Sequence, residues 1–197
     1  MANHMFALIL VEFFIRRIKI IMKSKKIRQL VFAALCLAIG IILPTLIGVR
    51  ELNIMLSPMH IPVLICGFVC GWMYGGVVGI LTPILRSVIF YMPLMYPDAI
   101  AMAFELAIYG IVAGLLYKLL PKKIPYIYVS LVSAMLIGRV IFIIARTGMA
   151  FVSNVEVAFL TYVTASFVDT IPGIILHIAI IPFIIIGLKA AKLMAND

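Results

Sequence analysis

Six long apolar stretches, each about 20 residues and parted by short segments rich in proline, lysine or arginine, constrain this chain more than any other feature. A helix of about 20 apolar residues is what it takes to cross a ~30 Å hydrocarbon core, where every backbone N–H and C=O must find its partner inside the segment. The runs are continuous rather than alternating, which argues against a transmembrane barrel. A hydrophobic share of 66% with 12% charged residues lies far beyond a soluble domain, where roughly half the residues are apolar. The fold expected is an all-α integral membrane protein, a bundle of six transmembrane helices in one membrane domain.

The spans are expected at about 28–48, 60–75, 76–92, 99–119, 125–146 and 158–189. Between 60 and 90 lie Gly67, Gly71, the Gly75-Gly76 pair and Gly79 with Pro62 and Pro83, so two short or broken helices joined by a tight turn near Met73 to Gly76 are predicted there. Residues 22–197 are assigned to the membrane domain. The first 21 residues read either as an interfacial amphipathic helix, "MFALILVEFFIRRIKII" being cut by Glu12, Arg16, Arg17 and Lys19, or as an added leader before a natural start at Met22.

A net charge of +9 would suggest nucleic acid in a soluble protein. Here it reports topology instead, and no nucleic-acid partner is expected. Lys23, Lys25, Lys26 and Arg28 precede the first span, and Lys118, Lys122, Lys123, Lys189 and Lys192 mark later boundaries, as the positive-inside rule requires of cytoplasmic ends. Six spans then place both termini in the cytoplasm. Outward loops fall at about 49–59, 93–98 and 147–157, carrying Arg50, Glu51, Asp98, Arg146 and Glu156. The location expected is the cell membrane, a bacterial plasma membrane.

Arg86, Glu105, Arg139 and Asp169 fall within these spans, with His60 and His177 at or inside them. An ionisable group at membrane depth costs about 2.5–3.5 kcal/mol on insertion scales, so each should face the bundle interior or a polar cavity with a partner. Two readings stay open: internal ion pairs, Arg86 with Glu105 or Arg139 with Asp169, or the lining of a pocket for a hydrophilic solute. A metal site is not expected. His60 and Cys66 stand about 240° apart around a helix of 3.6 residues per turn, so "MHIPVLICGFVCGW" does not converge on one ion, and its cysteines read as packing residues. No H-E-x-x-H, G-x-S-x-G or G-x-x-x-x-G-K-[ST] motif occurs. A transporter without a nucleotide site must use a gradient or borrow a motor, and no cofactor is called for.

"SPMHIPVLICGFVCGWMYGGVVGILTPILRS" (57–87), "AIAMAFELAIYGIVAGLLYKLLPKK" (99–123), "YVSLVSAMLIGRVIF" (128–142) and "FVDTIPGIILHIAIIP" (167–182) resemble the S component, the substrate-binding subunit, of energy-coupling factor (ECF) transporters in the riboflavin-transporter-like group. The resemblance runs from about Met22 to Leu188. It implies a six-helix protein that binds a vitamin or vitamin precursor from outside, riboflavin, pantothenate or a pyridoxine-like compound among them. It also implies delivery with a transmembrane T subunit and two ATP-binding subunits, so the chain itself is no enzyme. The family's A-x-x-x-A docking motif falls on Ala34 and Ala38 within "AALCLA". Carried over by position, the pocket implied comprises Asn53, His60, Glu105, Tyr109, Arg139, Asn154, Tyr162 and Asp169. Two other classes stay in view: an intramembrane enzyme acting on a lipid or prenyl substrate, and a scaffold whose polar residues only hold helices together.

Overall fold

The computed structural model describes residues 24–152, 159–191 and 194, and among these it contains helices and no strands. The first 21 residues therefore lie outside the described part, as does Asn154. In chain order the helices are α1 (Lys25–Ile47), α2 (Arg50–Leu56), α3 (His60–Cys70), α4 (Trp72–Phe90), α5 (Ile100–Leu119), α6 (Ile124–Val152), α7 (Phe159–Phe167) and α8 (Ile171–Ala190), with a single π-turn at Met95–Ala99 leading into α5. Six segments are long and apolar enough to cross a membrane, α2 and α3 counting together as one. The expected six-span, all-helical architecture is the one observed.

Helix α5 is the hub. It packs most extensively on α4 and α6 and also against α3, while α1 and α8 lie at the periphery with most of their surface outward. Leu30, Val31, Leu35, Ile42 and Leu46 of α1 and Ile175 and Phe183 of α8 are exposed. Large apolar side chains on the outside of a bundle suit a hydrocarbon solvent and no other.

The α3–α4 connection corrects the expected turn. The chain reverses at Gly71, with φ +96° and ψ 170°, a conformation that side-chain-bearing residues rarely adopt. Gly75 and Gly76 instead lie inside α4, where α4, α3 and α5 meet backbone to backbone. A Cβ on Gly75 would sit 2.7 Å from the Gly67 Cα and 2.8 Å from the Gly110 carbonyl oxygen. Without a hydrophobic drive between helices in lipid, such close approach is what holds them together.

Two further boundaries depart from expectation. The predicted outward loop at 49–59 contains helix α2, and the last predicted span is divided between α7 and α8. Pro172 explains the division: it has no N–H, and in a continuous helix its ring would strike the Val168 carbonyl, so the helix ends at Phe167 and restarts at Ile171. Helix α6 runs on to Val152, and its 29 residues span about 43 Å at 1.5 Å per residue, longer than the hydrocarbon core.

Charge separates cleanly along the bundle axis. Lys25 and Lys26 open α1, Lys118 closes α5, Lys122 and Lys123 form the α5–α6 loop, and Lys189 closes α8, so every lysine among the described residues lies at one end. That end is tied together by Lys189 Nζ donating to the Lys122 carbonyl at 2.7 Å, Arg28 Nη2 to the Met194 carbonyl at 2.7 Å, and Gln29 Nε2 to the Cys70 carbonyl at 3.0 Å. Glu51, Asp98, Arg146 and Asp169 mark the opposite end.

Candidate functional site

Away from the lysine end, polar side chains from α3, α5, α6 and α8 converge in an otherwise apolar interior. His60 opens α3 and is 3% exposed. Its Nδ1 stands 3.0 Å from the Ser57 carbonyl oxygen, which can only accept, so Nδ1 carries a hydrogen and Nε2 is turned toward Glu105. The His60 Nε2 to Glu105 Oε2 separation is 3.5 Å. Glu105, in the second turn of α5, also accepts a hydrogen bond from the Tyr109 hydroxyl at 2.8 Å, one helical turn along. The carboxylate is thus held by Tyr109 on one oxygen and faced by His60, without a hydrogen bond, on the other.

Aromatic packing closes the group. The His60 ring lies 5.1 Å from the Tyr109 ring, tilted, and 6.0 Å from the His177 ring, nearly parallel to it. Tyr109 is fully buried and presses against α6 at Gly138, where a Cβ would collide with its ring. The next residue on α6 is Arg139, 4% exposed, whose Nη1 donates to the Ser166 carbonyl of α7. The same carbonyl accepts from the Thr170 hydroxyl at 2.6 Å. Nε and Nη2 of Arg139 and Nε2 of His60 have no hydrogen-bond partner, while the fully buried His177 lies against the backbone of Leu56 and Ser57. Native interiors pair almost all buried polar groups, so these atoms stand out.

A cleft of about 70 Å³ opens beside Arg139 between α6, α7 and α8, walled by Met135, Phe167, Ile174 and Ile178. Small-molecule pockets run to about 300–1,000 Å³. The cleft is smaller than that range.

The sequence model of the family described as "ECF transporter, substrate-specific component" matches residues 28–187, most of the chain. The chain belongs to this family. No curated protein and no solved structure matches it. It is a multi-pass membrane protein and a transporter subunit rather than an enzyme, the substrate-binding part of a vitamin-type uptake system whose members associate with ECF T and ATPase modules.

Of the residues singled out in the sequence, this S component brings His60, Glu105, Tyr109 and Arg139 together. Tyr162 lies elsewhere, on α7, where the Arg146 guanidinium stands 5.1 Å from its ring centre while also pairing with Asp98. Asn53 is in α2 with its side-chain oxygen buried and unpartnered. Asp169 is exposed in the turn between α7 and α8.

Neither ion pair considered from the sequence forms. Arg86 reaches α1 instead, donating to the Ile41 carbonyl at 2.7 Å and the Thr45 hydroxyl at 3.0 Å, with its guanidinium 5.4 Å from the Phe90 ring centre. Arg139 cannot pair with Asp169, because the α7–α8 break turns the aspartate outward. Among the described residues no group of three or more His, Cys, Asp or Glu is placed to hold a metal.

His177 and Ser166 are the residues that sequence reasoning left out of the site. The signal for His177 was present, an ionisable group deep in an apolar helix, and equal to the one that singled out His60. Ser166 contributes its backbone carbonyl, which no side-chain pattern announces.

Proposed function

We propose that this S component is the high-affinity binding subunit for a water-soluble vitamin or vitamin precursor, taken from outside the cell and delivered by a T subunit and two ATP-binding subunits. The observation that carries the reading is the convergence of His60, Glu105, Tyr109, Arg139 and His177, from four helices, on the half of the bundle away from the lysines. The separation of lysines from the acidic end supports an orientation with both termini in the cytoplasm, which turns the cluster toward the outside. Below it, α3, α4 and α5 meet backbone to backbone at Gly67, Gly75 and Gly110, which closes the space between these three helices. A subunit that binds on one side and is closed on the other needs a partner to complete transport.

Helix α1 supports the partner half of the reading. Ala33, Cys36 and Gly40 face the bundle, whereas Ala34 and Ala38, one turn apart, are exposed on its outer face. Small residues at that spacing let another helix approach closely, and here they are not consumed by internal packing. In the substrate site, Tyr109 and the two imidazoles supply the aromatic groups that suit a flat heterocycle, with Asn53, Asn154, Tyr162 and Asp169 as further proposed contacts.

The test is mass spectrometry of small molecules released on denaturing the detergent-purified protein, followed by a thermal-shift titration with the compound found. A stoichiometric vitamin-like compound that raises the melting temperature through linked binding is the expected result. Nothing released, and no shift across a broad vitamin panel, would favour a scaffold and overturn the reading.

A further inference from the structure

We infer that the ligand of this site carries a carboxylate, bound side-on by Nε and Nη2 of Arg139. The inference rests on the binding-subunit reading above and goes on to the chemistry of what is bound. A guanidinium offers five N–H donors in a planar fork. One edge of Arg139 is spent on the Ser166 carbonyl, which anchors the side chain to α7. The free atoms, Nε and Nη2, are the pair that lie side by side on one edge of the plane, and their two parallel N–H bonds match the two oxygens of a carboxylate.

No carboxylate among the described residues forms an ion pair with Arg139. Glu105, a neighbour in the cluster, has one oxygen on Tyr109 and the other facing His60. The residues gathered here are one carboxylate against one guanidinium and two imidazoles. His177 lies within electrostatic reach of Arg139. Glu105 already accepts from Tyr109 on one oxygen, whereas an anionic ligand group would complete a guanidinium that is 4% exposed and bonded on one edge only. The cleft that Arg139 helps to line has apolar walls, so it suits the apolar or aromatic body of such a ligand.

The experiment compares matched acid and neutral pairs by thermal-shift titration of the purified wild-type chain in detergent: nicotinate with nicotinamide, biotin with biotinamide, pantothenate with pantothenol. Riboflavin and thiamine serve as neutral and cationic controls, and any compound released on denaturation is scored by the same question. The expected result is one acid whose neutral counterpart binds at least about 100-fold more weakly, since a buried donor pair left unmatched is strongly discriminating. Arg139→Gln should lose the acid's binding by a similar factor. Arg139→Lys, which keeps the charge without the fork, should lose at least about tenfold. Equal binding of acid and amide, or tight binding of a neutral or cationic compound, would overturn the carboxylate while leaving the uptake role standing. Acid binding untouched in Arg139→Gln would overturn the assignment to Arg139. No binding by any compound, with none released, would overturn the binding-subunit reading and this inference with it.

Discussion

The contact between His60 and Glu105 can be tested as a pair, because the geometry states what each side chain loses when the other is removed. Glu105→Ala takes away the acceptor of the Tyr109 hydroxyl, 2.8 Å away, and the group facing His60 Nε2 at 3.5 Å. Both remaining groups are buried, and a buried polar group left without its partner costs about 1–3 kcal/mol, more for a charged one. His60→Ala leaves the carboxylate with Tyr109 alone and should cost a similar amount. Removing both takes away the shared interaction only once, so the double variant should fall short of the sum by about 1–3 kcal/mol. Tyr109→Phe, which deletes one hydrogen bond to a charged acceptor, should cost about 1.5–3 kcal/mol. The measurement is equilibrium unfolding in mixed micelles with increasing denaturing detergent, read by the circular dichroism of the helices. Additivity of His60→Ala and Glu105→Ala to within about 0.5 kcal/mol would show that the two side chains do not interact, and the site would have to be rebuilt.

The other predictions concern packing and partners. Gly110→Val should unseat α4 from α5, because the added carbons meet the backbone of Gly75 and not a movable side chain; a fall in melting temperature and loss of monodisperse protein are expected, and a wild-type melt would contradict the packing. Ala34→Phe keeps α1 apolar while filling the space a second helix needs. It should abolish co-purification with the T subunit and leave ligand-induced thermal shifts unchanged, and loss of both together would count against a docking role. Arg146→Gln releases Asp98 and the Tyr162 ring at a partly exposed site, so it should cost no more than about 1 kcal/mol of stability. It should also speed hydrogen exchange in α7; unchanged exchange there would mean that Arg146 does not hold α7 in place.

The parts of the fold that were legible in the sequence are those that depend on local composition. Span number and the clustering of lysines at one end follow from the cost of placing each residue in hydrocarbon, which barely depends on what the rest of the chain does. The Gly71 turn was misplaced to Met73–Gly76 because a glycine needed for a positive φ and a glycine needed for close packing look alike in sequence. The division of the last span was signalled only by Pro172, a residue that elsewhere in this chain, as Pro83 and Pro182, sits inside a helix.

The candidate site divides in the same way. That Arg86, Glu105, Arg139 and His60 must face inward followed from the cost of a charge in lipid, and they are buried, whereas Asp169, to which the same cost applied, is exposed. Which partner each would take was decided by tertiary structure. Helix rotation and depth set whether Glu105 meets Arg86 or His60, and Arg86 instead turns to Ile41 and Thr45 of α1. The α7–α8 break turned Asp169 outward and brought the Ser166 carbonyl to Arg139 in its place. Hydropathy is a property each residue carries with it, whereas hydrogen-bond pairing belongs to two residues at once, and only the packed bundle sets the distance between them.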